Sequence, residues 1–217
     1  MAGLTFDPLI HAYELDGVRV PSVTGILKAS RLIDFSKIPP PILNAARDRG
    51  SAVHRACEYY NQGDLDVAEF MEMFDDYAPY VQAWIAFRHE SGAEITHAEY
   101  RVYSRRHQFA GTLDCLGTWQ GKGCLIDLKT GHPKDVAADL QTAAYLGALL
   151  EMQVAGDGPT LPSGPIVRYA VQLRKDATYR VETYTNPRDY AEFLALRTAL
   201  AIVERRKGAW IELADVA

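Results

Sequence analysis

Cysteine is scarce in this chain: Cys57, Cys115 and Cys124 are scattered, odd in number and without a Cys-x-x-Cys pair. That suits a reducing compartment and gives no support for a zinc site or an iron–sulfur cluster. No apolar run approaches the roughly 18 to 20 residues a membrane-spanning helix needs. The first eight residues, Met1 to Pro8, carry no basic stretch followed by an apolar one and are not arginine-rich. Neither a secretory signal nor an organelle transit peptide is expected. Internal repeats and low-complexity tracts are also lacking. Positive charge is the last shortage, since 23 Lys and Arg against 28 Asp and Glu leave a formal net charge of −5. This disfavours indiscriminate coating of a polyanion, while a local basic patch would suffice to grip a short stretch of one.

What is present describes a globular protein. Hydrophobic residues make up 48% of the 217 and charged residues 24%, which fits one domain with a helical elaboration. The patterning divides it into a hairpin and helical part over about 1–92, a sheet core over about 93–185 and a closing helix over about 186–217. Asp16-Gly17 predicts a tight turn within a hairpin from Tyr13 to Val20. Ser22 is placed to cap a helix carrying Val23, Ile26 and Leu27. The prolines at 39–41 break the chain before a helix over about 42–60. A long helix or helix pair then carries Phe70, Phe74, Tyr77, Val81, Trp84, Ile85 and Phe87, kinked or split at Pro79; these aromatics read as core. From Glu94 the period changes to two. Strands are expected over 94–103, 109–119 and 124–129, with a turn at Gln120 to Gly123. A helix over about 136–150, strands near 166–174 and 179–184 and a helix over about 187–207 complete an α/β core of mixed sheet.

The informative stretch is Gly111-Thr112-Leu113-Asp114, Asp127-Leu128-Lys129-Thr130 and Gln141-x-x-x-Tyr145. Residues two apart in a strand share a face, so Asp127 and Lys129 project together while Ile126 and Leu128 face the other way, under a helix. Asp114, on the preceding strand, can sit beside them. Two carboxylates so close repel unless a cation is shared, and a hard divalent ion such as Mg²⁺ or Mn²⁺ resolves that conflict. Such an ion polarises a phosphate and acidifies a water, while Lys129 can orient the water or balance transition-state charge. The set is what metal-assisted phosphodiester cleavage requires. An isolated Asp-x-Lys would read as a surface ion pair; here the combination carries the specificity. His54 lies on an early helix four residues after Gly50, with Glu58 one turn further on. Glu99, one strand before Asp114, is a further acidic candidate. Gln141 and Tyr145 share a helical face and can hold a phosphate, a base or the lysine. Arg47, Arg49, Arg105, Arg106 and Lys134 are the candidate DNA-binding cations, each of which could instead be ordinary solvated surface.

With Gly-x-x-Asp, Asp-x-Lys-Thr, Gln-x-x-x-Tyr and an upstream Gly-x-x-x-His in place, the chain resembles the PD-(D/E)XK nuclease superfamily. Within it the likeness is to the RecB-like exonuclease branch, including the mitochondrial genome maintenance exonucleases, and it spans about residues 13 to 185. The resemblance implies a restriction-endonuclease-like mixed sheet flanked by helices. It makes His54, Asp114, Asp127 and the backbone carbonyl of Leu128 ligands of one or two Mg²⁺ or Mn²⁺ ions. Lys129 becomes the catalytic lysine, with Gln141 and Tyr145 as supporting residues. The implied activity is a DNA exonuclease favouring single strands or free ends. The lack of a transit peptide points to the cytoplasm of a bacterial or phage-infected cell, and a single-strand annealing or other replication or recombination protein would fit as partner although no sequence feature marks one. Two other readings stay open: a structure-specific or restriction-type endonuclease of the same fold, and a DNA-binding module that has lost catalysis. The lack of a four-cysteine set separates the chain from the iron–sulfur members of the branch.

Overall fold

The computed structural model describes residues 3–214, with the side chains of 134, 135 and 207–214 excepted. Three short strands open the chain: β1 (Leu4–Asp7), β2 (Ala12–Leu15) and β3 (Val18–Val20), paired antiparallel in sequence order. The β2–β3 turn is the expected Asp16-Gly17, both at positive φ, as a two-residue hairpin turn demands. The strand β1 was not expected. Its four residues alternate part-buried and exposed, but a run that short at a chain end gives little periodicity to read.

Four helices follow. Ser22 caps α1 (Val23–Ala29) by accepting the Gly25 N–H at 3.0 Å. The proline run does not simply break the chain. Pro40 and Pro41 form the first turn of α2 (Pro40–Gln62), where a missing N–H costs nothing and the fixed φ is already helical. Pro79 acts the same way in α4 (Ala78–Ser91), which settles the predicted long helix as two, the other being α3 (Val67–Met73).

The main sheet runs β4 (Glu94–Ser104), β5 (Phe109–Trp119), β6 (Lys122–Lys129), β7 (Ile166–Leu173) and β8 (Tyr179–Tyr184) in spatial order. All neighbours are antiparallel except β6 and β7, so the expected mixed sheet is present. The β5–β6 turn is tighter than expected: only Gln120 and Gly121 take positive φ, and Lys122 and Gly123 already pair as strand. A parallel step needs a crossover, supplied by α5 (Ala138–Ala155) after a 3₁₀ turn at Pro133–Val136. The closing helix α6 runs Asp189–Ala214, seven residues past its expected end.

Two cores lie on the two faces of this sheet. One joins α1, α5, α6 and the N-terminal strands, with Tyr13, Ile26, Leu27, Phe109, Leu125 and Phe193 buried. The other packs α2 and α4 against Cys115, Cys124, Ile126 and Leu128. Trp84 and Phe87, fully buried there, each contribute roughly 1.5–3 kcal/mol by leaving water. The aromatic stripe is core, as expected, except that Phe74 is exposed. Asn61 near the end of α2 accepts from Trp84 Nε1 at 3.1 Å and from Arg88 at 2.5 Å. This clamp fixes the rotation of the helix that carries His54.

Candidate active site

The site forms where the central strands part. The β5–β6 ladder ends with Cys115 opposite Ile126, and one step further Asp114 faces Asp127. There the backbone pairing gives way to a side chain, since the Leu128 N–H donates to Asp114 Oδ2 at 2.6 Å. On the other side of β5, Ala98 pairs with Cys115 and Tyr100 with Leu113, which sets Glu99 opposite Asp114. Glu99 sits at φ +48°, a left-handed conformation unusual in a strand and characteristic of functional positions. The result is a row of three acids across β4, β5 and β6.

Helix α2 brings the fourth group. Arg47, Gly50, His54 and Glu58 recur at three- and four-residue spacing and share one face, while Val53, Ala56 and Cys57 face the core. His54 Nε2 lies 3.0 Å from the Leu128 carbonyl oxygen. Its Nδ1 lies 3.4 Å from Asp114 Oδ1 and 3.8 Å from Glu99 Oε1. Ligand atoms of His54, Glu99 and Asp114 all fall within 4.8 Å of one another.

The electrostatics follow from this crowding. Burial opposes a charge on His54, but the Asp114 and Glu99 carboxylates outweigh it and raise its pKa to about 10. Both ring nitrogens then act as donors, one to Leu128 and one toward the acids. Burial also opposes the charge on Asp114, yet His54, Lys129 and the Leu128 N–H hold its pKa below the usual carboxylate range. Glu99 is pushed up, first by burial and then by Asp114 and Glu58, against the pull of His54. Asp127 is the most frustrated group. It is 1% exposed, and burial with the nearby Asp114 raises its pKa to about 6 despite Lys129. Lys129 Nζ stands 2.5 Å from Asp127 Oδ2, yet neither carboxylate oxygen accepts a well-formed hydrogen bond. Orphaned buried carboxylate oxygens beside a second acid are a site short of positive charge.

The remaining motif residues form the frame. Gln141 Nε2 donates to the Tyr145 hydroxyl at 3.0 Å, and burial pushes the Tyr145 phenol well up. A Cβ at Gly111 would stand 2.6 Å from the Tyr145 ring, so the glycine of Gly-x-x-Asp is the seat for that ring. Two cavities meet at His54. The larger, about 790 Å³, is lined by His54, Glu58, Glu99, Asp114 and Tyr145. The smaller, about 390 Å³, is lined by Lys129, Gln141 and Arg49. Arg47, Gly50 and His54 line both.

The expected ligand set is therefore rearranged. His54 and Asp114 stand together, but the third member of their group is Glu99, the weaker candidate, while Asp127 is turned to Lys129. The Leu128 carbonyl is present, facing His54. Glu58 lines the cavity and accepts from Gln62 at 3.3 Å. Among the basic candidates, Arg47 and Arg49 reach the cavities, and Arg49 also stacks on Tyr80 at 5.3 Å. Arg105 and Arg106 line neither. Arg105 is held by Asp16 at 2.9 Å and Asp157 at 2.5 Å, and the Arg106 N–H donates to Glu151, so the two tie the β4–β5 turn to its surroundings. The Lys134 side chain lies outside the described residues. Arg55, Arg101 and Lys28 line the cavities and were not singled out from sequence. Arg101 pairs directly with Thr112, and counting by two from Glu99 would have found it.

Acids and a lysine on the parting inner strands of a mixed sheet form the candidate catalytic site. Residues 28–212 match the model of the PD-(D/E)XK nuclease superfamily, and the chain belongs to that superfamily of metal-dependent nucleases. No curated protein matches it.

Proposed function

We propose that this protein is a Mg²⁺- or Mn²⁺-dependent DNA exonuclease acting on single-stranded or frayed ends, as in the RecB-like branch. The observation that carries the reading is the buried Asp127 carboxylate, ion-paired with Lys129 but without a well-formed hydrogen bond, next to Asp114 and the adjoining His54–Glu99–Asp114 group. These residues fit a divalent cation: oxygen donors predominate, one imidazole is present, and the three acids outnumber the two cationic side chains, His54 and Lys129, set against them. His54, Glu99, Asp114 and Asp127 would hold it, with the Leu128 carbonyl as a further oxygen. A bound ion supplies Lewis acidity toward a phosphate oxygen and acidifies water.

The chain's own groups do the rest. Lys129, three donors on a flexible stem, holds the attacking water or meets charge developing on the phosphate. Arg47, at the junction of the two cavities, binds a phosphate of the strand. Gln141 and Tyr145 bridge the cavities and keep the β5–β6 opening in register. A walled cavity of this size suits an unpaired strand, which supports ends over continuous duplex. We place the protein in bacterial or phage DNA replication, recombination or repair, in the cytoplasm, alongside a single-strand annealing or similar protein; no helix among the described residues is long and apolar enough to cross a membrane.

The test is digestion of end-labelled linear single-stranded, linear duplex and circular single-stranded DNA with Mg²⁺, Mn²⁺ or EDTA. Metal-dependent loss of the linear substrates with the circle intact is expected. Cutting of the circle would replace this reading with an endonuclease, and no cutting with either metal would overturn it.

A further inference from the structure

We infer that the N-terminal sheet is a nucleobase subsite, in which an unpaired base of the DNA strand stacks on His11 beside the catalytic acids. The inference rests on the nuclease reading and specifies how the strand is held.

The family match begins at residue 28, so β1, β2 and their connecting turn lie outside the shared nuclease core. Even so, Phe6, Pro8, His11 and Tyr13 form a wall of the larger cavity, facing His54 and Asp114. The wall is registered to the chemistry. Tyr13 is buried, and its hydroxyl bonds Thr112 Oγ1 at 2.8 Å, two residues before Asp114 on the same strand. Phe6 packs on Tyr13 with ring centroids 4.7 Å apart, and the Arg101 guanidinium lies 5.0 Å from the Phe6 ring centre. Core packing and the cation thus account for Tyr13 and Phe6.

His11 is not accounted for that way. It is an exposed residue in T-shaped contact with the Phe6 and Tyr13 rings, at 5.1 and 5.9 Å, so neither ring is stacked face to face on it. It also holds φ +49°, a conformation that costs a non-glycine residue energy and persists where the surroundings require it. The same turn exposes Leu9 at 93% and Ile10 at 61%, apolar surface that nothing among the described residues covers. A strained, exposed ring on an aromatic base with an arginine behind it, lining the same cavity as Glu99 and Asp114 and flanked by exposed apolar residues, has the make-up of a single-strand stacking platform. Duplex DNA keeps its bases inside the stack, so the occupant is an unpaired nucleotide.

Binding is measured in EDTA by fluorescence anisotropy, using labelled oligothymidylate with one abasic position scanned along it. In the wild type one position should matter, its abasic form binding roughly 5- to 100-fold more weakly. His11→Gly, which removes the ring and relieves the backbone, should bind the intact strand as weakly as that abasic strand and lose the position dependence, with an unchanged or raised melting temperature. His11→Asn, which tolerates the same φ, should behave alike. A flat scan in a wild type that cleaves DNA would overturn this inference and leave the nuclease standing. The same holds if His11→Gly weakens intact and abasic strands equally. A wild type that neither binds nor cleaves DNA would sink both.

Discussion

Two buried acid–base pairs sit one strand apart and are built to opposite ends. Arg168 on β7 meets Asp189 of α6 at 2.7 Å, and its other donors go to the carbonyls of Asp139 and Asn186 and to Thr142 Oγ1. The groups around that charge are satisfied, and the pair ties β7, α5 and α6 together. Lys129 and Asp127 on β6 are as close, but Asp127 has no well-formed hydrogen bond and a second acid beside it. A buried pair is neutral in cost only when its remaining lone pairs and protons are met. The first pair meets that condition and holds the fold. The second fails it in a way that a cation and a phosphate would repair.

The comparison breaks most sharply under truncation. Lys129→Ala should lower cleavage by about 10²- to 10³-fold or more, with a melting temperature within a few degrees of wild type. Arg168→Ala strands Asp189 in the interior and should cost about 3 to 5 kcal/mol, lowering the melting point by roughly 10 °C. The molecules that remain folded should still cut DNA. Initial rates and thermal melts on the same samples decide it, and equal losses of stability in the two variants would erase the distinction.

Neutralising the acids should give effects of opposite sign. Without metal, the fold penalises the Asp127 charge, so Asp127→Asn should raise the melting temperature in EDTA while abolishing cleavage. Asp189→Asn removes the partner of a buried guanidinium and should lower it. The same frustration sets a pH dependence. Between about pH 4 and 6 folded Asp127 keeps a proton that the unfolded chain has lost, and between about 6.5 and 10 folded His54 does the same. In both windows the native state binds more protons, so the stability of the metal-free protein should fall as pH rises. Metal binding needs those protons removed, so saturating Mn²⁺ should flatten or reverse that slope. Melts in EDTA and in Mn²⁺ across pH 5 to 9 test both arms.

Motif spacing made the inner half of the site legible. Asp114, Asp127 and Lys129 follow from period-two strands joined by one turn, and His54 from its helical stripe. The grouping of Glu99 with His54 and Asp114 was not legible, because its position involves a left-handed residue within β4 that no residue type announces. Arg105 and Arg106 looked like a basic patch, but the acids that hold the Arg105 side chain, Asp16 and Asp157, are 89 and 52 residues distant in sequence and meet it only in the fold. Arg168 went unnoticed for the same reason: an arginine in an apolar strand reads as an edge until α6 closes over it. Local chemistry is written locally, whereas the state of a charge depends on what the topology brings against it.

Glycines sharpen the contrast on a smaller scale. Gly111 has no room: a Cβ there overlaps Tyr145 and comes within 3.3 Å of Val23. Gly111→Ala should cost about 1 to 3 kcal/mol and displace Tyr145, lowering cleavage together with the melting point.

Gly50 is the reverse case and the smallest expected effect. It sits inside α2, where glycine is less favourable than alanine by about 1 kcal/mol. Only Thr130 Oγ1, at an ordinary 3.9 Å, lies near a Cβ built there. Protein packing therefore gives no reason for the residue, and the space it leaves opens on the junction of the two cavities. If that space belongs to the DNA backbone, Gly50→Ala should stabilise the protein by about 0.5 to 1 kcal/mol while raising KM for single-stranded DNA several-fold. A gain in stability with unchanged KM would mean the strand passes elsewhere, and a loss of stability would mean the glycine serves the fold after all.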